Sequence, residues 1–287
     1  MKRLLPILLL LLLSACDKMD TLAPENEAIR GDGLVVEGWI DEGGCPVVSV
    51  TTTLRRPDDP QPVASLAGLV VRDAEVYVSD GTQKVQLTGS LSLDAFPPYV
   101  YSTSLMKGEI GKTYTLTVSY KGMEATAEAT IPEATQLTSL DVFRTEDDVY
   151  RIYAVFDPDP EACYGFFSKG GEDAFGYLPV FLGLVDGSVV SGPQTVSVTR
   201  GSALTSLKEY KPGFEPGERV DIRFCTMNRD IYRFWETFQQ LTGISYIMTY
   251  PTNFSNLPSN MTGAYGYWAG YGTATYSVNI PEEEEEP

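Results

Sequence analysis

The feature that most constrains the fold of this chain is a strict alternation of apolar and polar residues on both sides of a Lys121-Gly122 turn. In segment 113–120, tyrosine, leucine and valine occupy every second position, with threonine or serine between them. Segment 123–131 continues the same period with methionine, alanine and isoleucine. Successive side chains of a β-strand point to opposite faces, so this pattern predicts an antiparallel hairpin with one face in a core.

Similar runs, separated by turn residues, extend over most of the chain. We predict further strands at 34–40, 47–54, 74–79, 84–88, 149–156, 177–185, 195–199, 219–226 and 273–280. The chain should therefore be all-β. We expect an immunoglobulin-like or transthyretin-like β-sandwich at 34–132 and, after a boundary near 132–138, a second β-rich domain at 136–280 with one short helix.

The helix prediction rests on apolar residues at helical spacing between residues 231 and 241. Asn228 or Asp230 can cap its first turn, and Gly243 is expected to end it. In the strand that precedes it, Val220, Ile222 and Phe224 share one face, which places Cys225 on the other face.

The first residues carry an export signal. A basic head at Lys2 and Arg3 precedes the leucine-rich run 4–13, and Ser14 and Ala15 precede Cys16. This order is typical of a bacterial lipoprotein, so we expect a signal peptide at 1–15 and acylation of Cys16. Residues 16–33 are polar and read as a flexible tether, and the acidic tail 281–287 should be solvated.

Charge and composition exclude several functions. The net charge of −18 disfavours nucleic acid as a partner, because phosphate-binding surfaces need clustered lysine and arginine. Membrane attachment should therefore come from the lipid on Cys16. The chain contains no histidine, which removes histidine-dependent nucleophilic catalysis and histidine-based metal sites. We accordingly expect no metal, no cofactor and no enzymatic activity.

The cysteines leave their own pairing open. With Cys16 acylated, Cys45, Cys163 and Cys225 remain, without any C-x-x-C pair. An odd number allows at most one disulfide among them, and the spacing alone does not select a pair.

Three segments in order resemble a family of Bacteroidota outer-membrane lipoproteins, the domain of unknown function 4249. These segments are 34–41, 73–81 and 111–122, the last of which runs on into Ile131-Pro132, and the glycine-aromatic stretch 260–272 is similar to the C-terminal part of that family. The resemblance implies a β-rich protein anchored in the outer membrane and often linked with TonB-dependent receptors. It supplies no catalytic residue, and Cys45 stands where the family tends to have a plain turn.

The glycine-aromatic stretch is the richest candidate for a binding surface. Its candidate residues are Tyr265, Tyr267, Trp268 and Tyr271, whose flat rings suit stacking on a glycan or anchoring a peptide. The alternative is that these rings close the core of the second domain. We favour packing, with Trp268 in the core and with Tyr267 and Tyr271 as the exposed members.

Three shorter motifs carry less information. Ser104 and Lys107 match the S-x-x-K of serine acylases but lack the accompanying elements. The alternating carboxylates of 157–161 lack the glycine of a calcium loop, so a solvated turn is favoured. Asp20-Thr21-Leu22 resembles a Bacteroidota O-glycosylation acceptor, which makes Thr21 a candidate glycosylation site.

These observations favour a non-enzymatic outer-membrane lipoprotein that serves as an accessory or ligand-binding component of TonB-linked uptake. The alternative is a structural or adhesive protein of the cell surface. The sequence leaves open the ligand and the side of the membrane that the protein faces.

Overall fold

The computed structural model describes residues 33–53, 67–92, 95, 97–145, 149–171, 176–201, 211–247 and 257–282, with side chains of the helix described as far as residue 241. The predicted signal peptide, Cys16, Thr21, all but the last residue of the tether, and tail residues 283–287 lie outside these ranges.

Fifteen strands and one α-helix are found in the described part of the chain. The strands are β1 (Leu34–Asp41), β2 (Val47–Thr52), β3 (Glu75–Ser79), β4 (Lys84–Gln86), β5 (Thr88–Leu91), β6 (Tyr99–Ser102), β7 (Thr113–Tyr120), β8 (Met123–Thr130), β9 (Ser139–Arg144), β10 (Tyr150–Phe156), β11 (Cys163–Gly170), β12 (Leu178–Asp186), β13 (Gln194–Val198), β14 (Arg219–Met227) and β15 (Tyr265–Asn279). The helix is α1 (Arg229–Ile247).

An eight-stranded sheet in the order β12-β11-β14-β15-β1-β2-β6-β5 forms the centre of the fold. Two smaller sheets, β4-β3-β7-β8 and β13-β10-β9, complete the architecture. All pairings between the named strands are antiparallel except that of β1 with β15, which is parallel.

Both small sheets pack against the same face of the large sheet and create two hydrophobic cores. The first core joins β1 and β2 to the four-stranded sheet through residues such as Val36 and Leu116. The second core joins β11 and β14 to the three-stranded sheet through residues such as Phe224 and Ile152. The all-β, sandwich-like prediction is thereby confirmed.

The predicted domain boundary falls between the two small sheets, since β8 ends at Thr130 and β9 begins at Ser139. The large sheet nevertheless contains strands from both sides of that boundary, because β15 pairs with β1 as well as with β14. The division into two domains stays a prediction, and any such division would have to share this sheet.

The predicted 113–131 hairpin is present as β7 and β8, with Tyr120 opposite Met123. The turn residues Lys121 and Gly122 have φ values of 47° and 82°. Positive φ at both central positions is the geometry of a type I′ turn, whose twist matches that of the flanking strands.

The helix begins as predicted and ends later than predicted. Asn228 caps it, because its side-chain oxygen accepts a hydrogen bond of 3.0 Å from the backbone N–H of Ile231. The prediction that Gly243 ends the helix is wrong, since α1 continues to Ile247 and has 19 residues. A glycine inside a helix costs about 1 kcal/mol relative to alanine, which does not force a stop. No helix in the described part of the chain is long and apolar enough to cross a bilayer.

Candidate functional site

The glycine-aromatic stretch is itself a strand. The prediction that a strand begins at residue 273 is wrong, because β15 begins at Tyr265. Its glycines permit close packing of backbones: a Cβ on Gly266 would lie 2.0 Å from the carbonyl oxygen of Val36, and one on Gly270 would lie 2.5 Å from that of Thr130. The glycines thus bring two backbone segments against the strand instead of leaving its rings uncovered.

Trp268 lies on the sandwich side of β15. Its side chain is 0% exposed, and its indole N–H donates a hydrogen bond of 2.9 Å to the backbone carbonyl of Tyr114. The prediction that Trp268 packs in a core is confirmed, but the core is that of the N-terminal strands. The expectation that it closes the core of the second domain is wrong, because parallel pairing with β1 carries this half of β15 into the first sandwich.

Tyr267 and Tyr271 lie on the opposite face of β15, beneath α1. They are only 7% and 3% exposed, so the expectation that they are the exposed members is wrong. The ring of Phe234 lies 4.5 Å from that of Tyr267, and the indole N–H of Trp235 donates a hydrogen bond of 2.9 Å to the Tyr271 hydroxyl. Tyr265 is half-buried.

A partly buried ion pair lies on this helix-covered face. The guanidinium of Arg223 on β14 bonds to the carboxylate of Asp41 at the end of β1, and the Thr273 hydroxyl donates to the same carboxylate oxygen over 3.1 Å. The rings of Tyr271 and Trp39 lie 5.2 Å and 5.9 Å from the guanidinium carbon, within the range of cation–π attraction. The ion pair and its neighbouring contacts therefore connect β1, β14 and β15.

The electrostatics of this pair favour a fixed structural role. Burial opposes the charge of Arg223, yet the neighbouring Asp41 carboxylate raises its pKa above the usual value. Burial raises the pKa of the Cys225 thiol to about 11. A thiol protonated at neutral pH is a poor nucleophile, so the cluster supplies a permanent cation and an inert thiol.

A second group of polar side chains on this face lacks hydrogen-bond partners among the residues that the structure describes. Glu37 on β1 stands opposite Ser49 on β2 and Tyr267 on β15 in the strand register, which places all three side chains on one face. The Ser49 Oγ atom is buried without a partner. In the described part of the chain, neither the Glu37 carboxylate nor the Tyr267 hydroxyl has one. We call these three residues the Glu37 patch.

The carboxylate of the Glu37 patch is both accessible and crowded. The Glu37 side chain is exposed to solvent, whereas desolvation by the surrounding protein raises its pKa. Desolvation also raises the pKa of Tyr267 well above its usual value, and the nearby charge of Glu37 adds to this shift. The Glu37 carboxylate is therefore open to solvent at the surface of the sheet. No sequence motif marks it; its sequence signal is a glutamate in the middle of a strand.

The other candidate motifs form no catalytic or metal-binding arrangement among the described residues. The amine of Lys107 donates a hydrogen bond to the Sγ atom of Cys45 over 3.1 Å. Asp159 accepts a hydrogen bond from the backbone N–H of Glu161 within a turn. Cys45, Cys163 and Cys225 are all free thiols, and the described part contains no group of three or more cysteine, aspartate or glutamate residues able to hold a metal ion.

Comparison with known proteins identifies the family. The family model described as "Domain of unknown function (DUF4249)" matches residues 20–277. The chain belongs to this family. No curated protein matches it significantly. A solved structure described as "Cytokine receptor complex - Crystal form 1A" is similar at 10% identity and a TM-score of 0.24, covering 85% of this chain and 95% of that one.

Proposed function

We propose that this DUF4249 protein is a non-enzymatic lipoprotein, held in the outer membrane by acyl chains on Cys16, that binds a ligand for an envelope uptake system. Its partner in this role is a TonB-dependent receptor. The folded part then acts as an accessory module beside the receptor, at the end of the tether formed by residues 16–33.

The observation that carries the proposal is the lipoprotein signal before Cys16, which directs an acidic, all-β module to the envelope. Family membership agrees with this location, given the resemblance described above. The Glu37 patch supports a binding role, because polar groups without partners cost free energy unless a ligand or water satisfies them.

Attachment can be tested by replacing the acylated residue. A Cys16→Ala variant should lose labelling by a palmitate analogue and should stay in the inner membrane or become soluble. Cys45→Ala is the matched control and should keep both labelling and outer-membrane fractionation. Full labelling of the Cys16→Ala variant would contradict the anchor.

The uptake role can be tested by affinity purification of the native protein from detergent-solubilised outer membranes. We expect a TonB-dependent receptor to co-purify in stoichiometric amount. Co-purification of other copies of the chain or of fibre subunits, without a receptor, would instead support the structural or adhesive alternative. That alternative is favoured by the exposed side chains of Leu182 and Val189, which are 73% and 77% accessible on and beside edge strand β12.

A further inference from the structure

The Glu37 patch contains a hydrogen-bond acceptor that no group in the described part of the protein uses. In an acidic chain the obvious partner of a glutamate is a neighbouring lysine or arginine, yet no described side chain forms an ion pair with Glu37. Arg223, the buried cation on the same face, is engaged by Asp41. The charge of Glu37 is therefore left for a group from outside the chain.

The two hydroxyls of the patch reinforce this preference. Ser49 is 9% exposed and its Oγ atom has no partner; the Tyr267 hydroxyl, on the other side of Glu37, is likewise unused among the described groups. Residues opposite one another on neighbouring strands have Cβ atoms about 4.5–5.5 Å apart. The accessible Glu37 carboxylate thus lies between two hydroxyl-bearing side chains on the same face of the sheet.

Aromatic rings are the other component of this surface. Trp39, two residues from Glu37 on β1, is half-buried against the cluster that contains Tyr267. Phe234 and Trp235 of α1 pack on the other side of Tyr267, with ring centres 4.5 Å and 5.7 Å away. An unpaired carboxylate beside aromatic rings attracts an organic cation by both charge and ring quadrupole.

We propose that the Glu37 patch binds a primary ammonium group, R–NH₃⁺, of an amine or peptide ligand. Such a group has three N–H donors for the carboxylate and hydroxyl oxygens, and its alkyl stem suits the neighbouring rings. The negative charge of the whole protein, −18, raises the local concentration of cations at its surface. A neutral glycan would use the hydroxyls but would leave the carboxylate charge uncompensated. This inference deepens the proposed binding role and rests on it.

The test is isothermal titration of the purified full-length protein in a non-ionic detergent with n-butylammonium, at about 150 mM salt to screen long-range attraction. The neutral isostere 1-butanol and methyl β-glucoside are titrated in parallel. We expect saturable binding of n-butylammonium, with at least tenfold weaker binding of the alcohol and the sugar. Equal binding of the alcohol, binding of the sugar alone, or no binding of the amine would overturn the proposal.

Substitutions locate the site and separate binding from folding. Glu37→Gln should weaken n-butylammonium binding at least tenfold, and Tyr267→Phe, which removes only a hydroxyl, should weaken it several-fold. Glu75→Gln, on an exposed position of β3, should leave binding unchanged. Each variant is checked by circular dichroism, and unchanged binding by folded Glu37→Gln would refute the site. The titration uses the isolated protein, so its result does not depend on whether a receptor co-purifies in the affinity experiment.

Discussion

Trp268 should be one of the most sensitive positions for stability. Its indole is fully buried in the first core and lies against the backbone of Gly38, where an added Cβ would approach the ring to 3.0 Å. Replacing a buried tryptophan with alanine removes most of a large apolar surface and leaves a cavity, at a cost of about 3–5 kcal/mol. The carbonyl of Tyr114 would also lose its donor, and an unsatisfied buried carbonyl costs about 1–3 kcal/mol if no water replaces the indole.

The expected fall in melting temperature follows from this cost. For a chain of this size, 1 kcal/mol corresponds to roughly 2–4 °C, so Trp268→Ala should lower Tm by on the order of 10 °C. Trp268→Phe keeps a ring but loses the N–H donor, and its Tm should lie between those of Trp268→Ala and the unchanged protein.

Thermal unfolding followed by far-UV circular dichroism measures these shifts without relying on tryptophan fluorescence. Leu91→Ala is the control, since Leu91 is 75% exposed and surface changes usually stay within about 0.5 kcal/mol. A Trp268→Ala protein that melts within about 2 °C of the unchanged one would refute the assignment of Trp268 to the core.

Three further predictions concern charge and metals. Asp41→Ala should lower the free energy of unfolding in urea by about 3–5 kcal/mol, because it leaves the guanidinium of Arg223 without its partner. The double variant Asp41→Ala with Arg223→Met should recover much of that loss. Equal losses of stability in the single and the double variant would contradict the pairing. Hydrogen bonds from Arg229 hold the pKa of Asp186 well below its usual range. Asp186→Asn should therefore lower Tm at neutral pH. The Tm difference between this variant and the unchanged protein should shrink as the pH falls below about 4 and through that lowered pKa. Elemental analysis of purified protein should find no stoichiometric transition metal, and one equivalent of zinc or iron would reveal a missed site.

Several strands that bury a single face were predictable from the sequence, although β9 was missed. In β7, Tyr114, Leu116 and Val118 fill the core while the alternate residues stay more exposed, so the two-residue period survives. β11 was missed because nearly all of its residues are buried, one face in the second core and the other beneath α1. Burial on both faces removes the alternation on which strand recognition depends.

The same effect explains why the rings of β15 were partly misassigned. The alternation of Tyr267 and Trp268 shows that they face opposite ways, but the sequence does not show that a helix covers Tyr267. That cover comes from α1, whose Phe234 packs directly on the ring of Tyr267. In the sequence, a strand that is packed on both faces cannot be told from one with exposed rings until the element covering its second face is known.

The charged residues of the candidate site could not be found by motif, because Arg223 and its partner Asp41 lie 182 positions apart in the sequence. Arg223 interrupts the apolar face of β14 that carries Cys225, and it meets Asp41 only because β15 lies between β1 and β14 and brings their ends together. Glu37 occupies the corresponding face of β1, but no described cation meets it. An inward-facing charge satisfied within the chain stabilises the sheet, whereas an accessible charge without a partner among the described residues is open to a ligand of opposite sign. This physical difference between Arg223 and Glu37 is the reason to look for binding at Glu37.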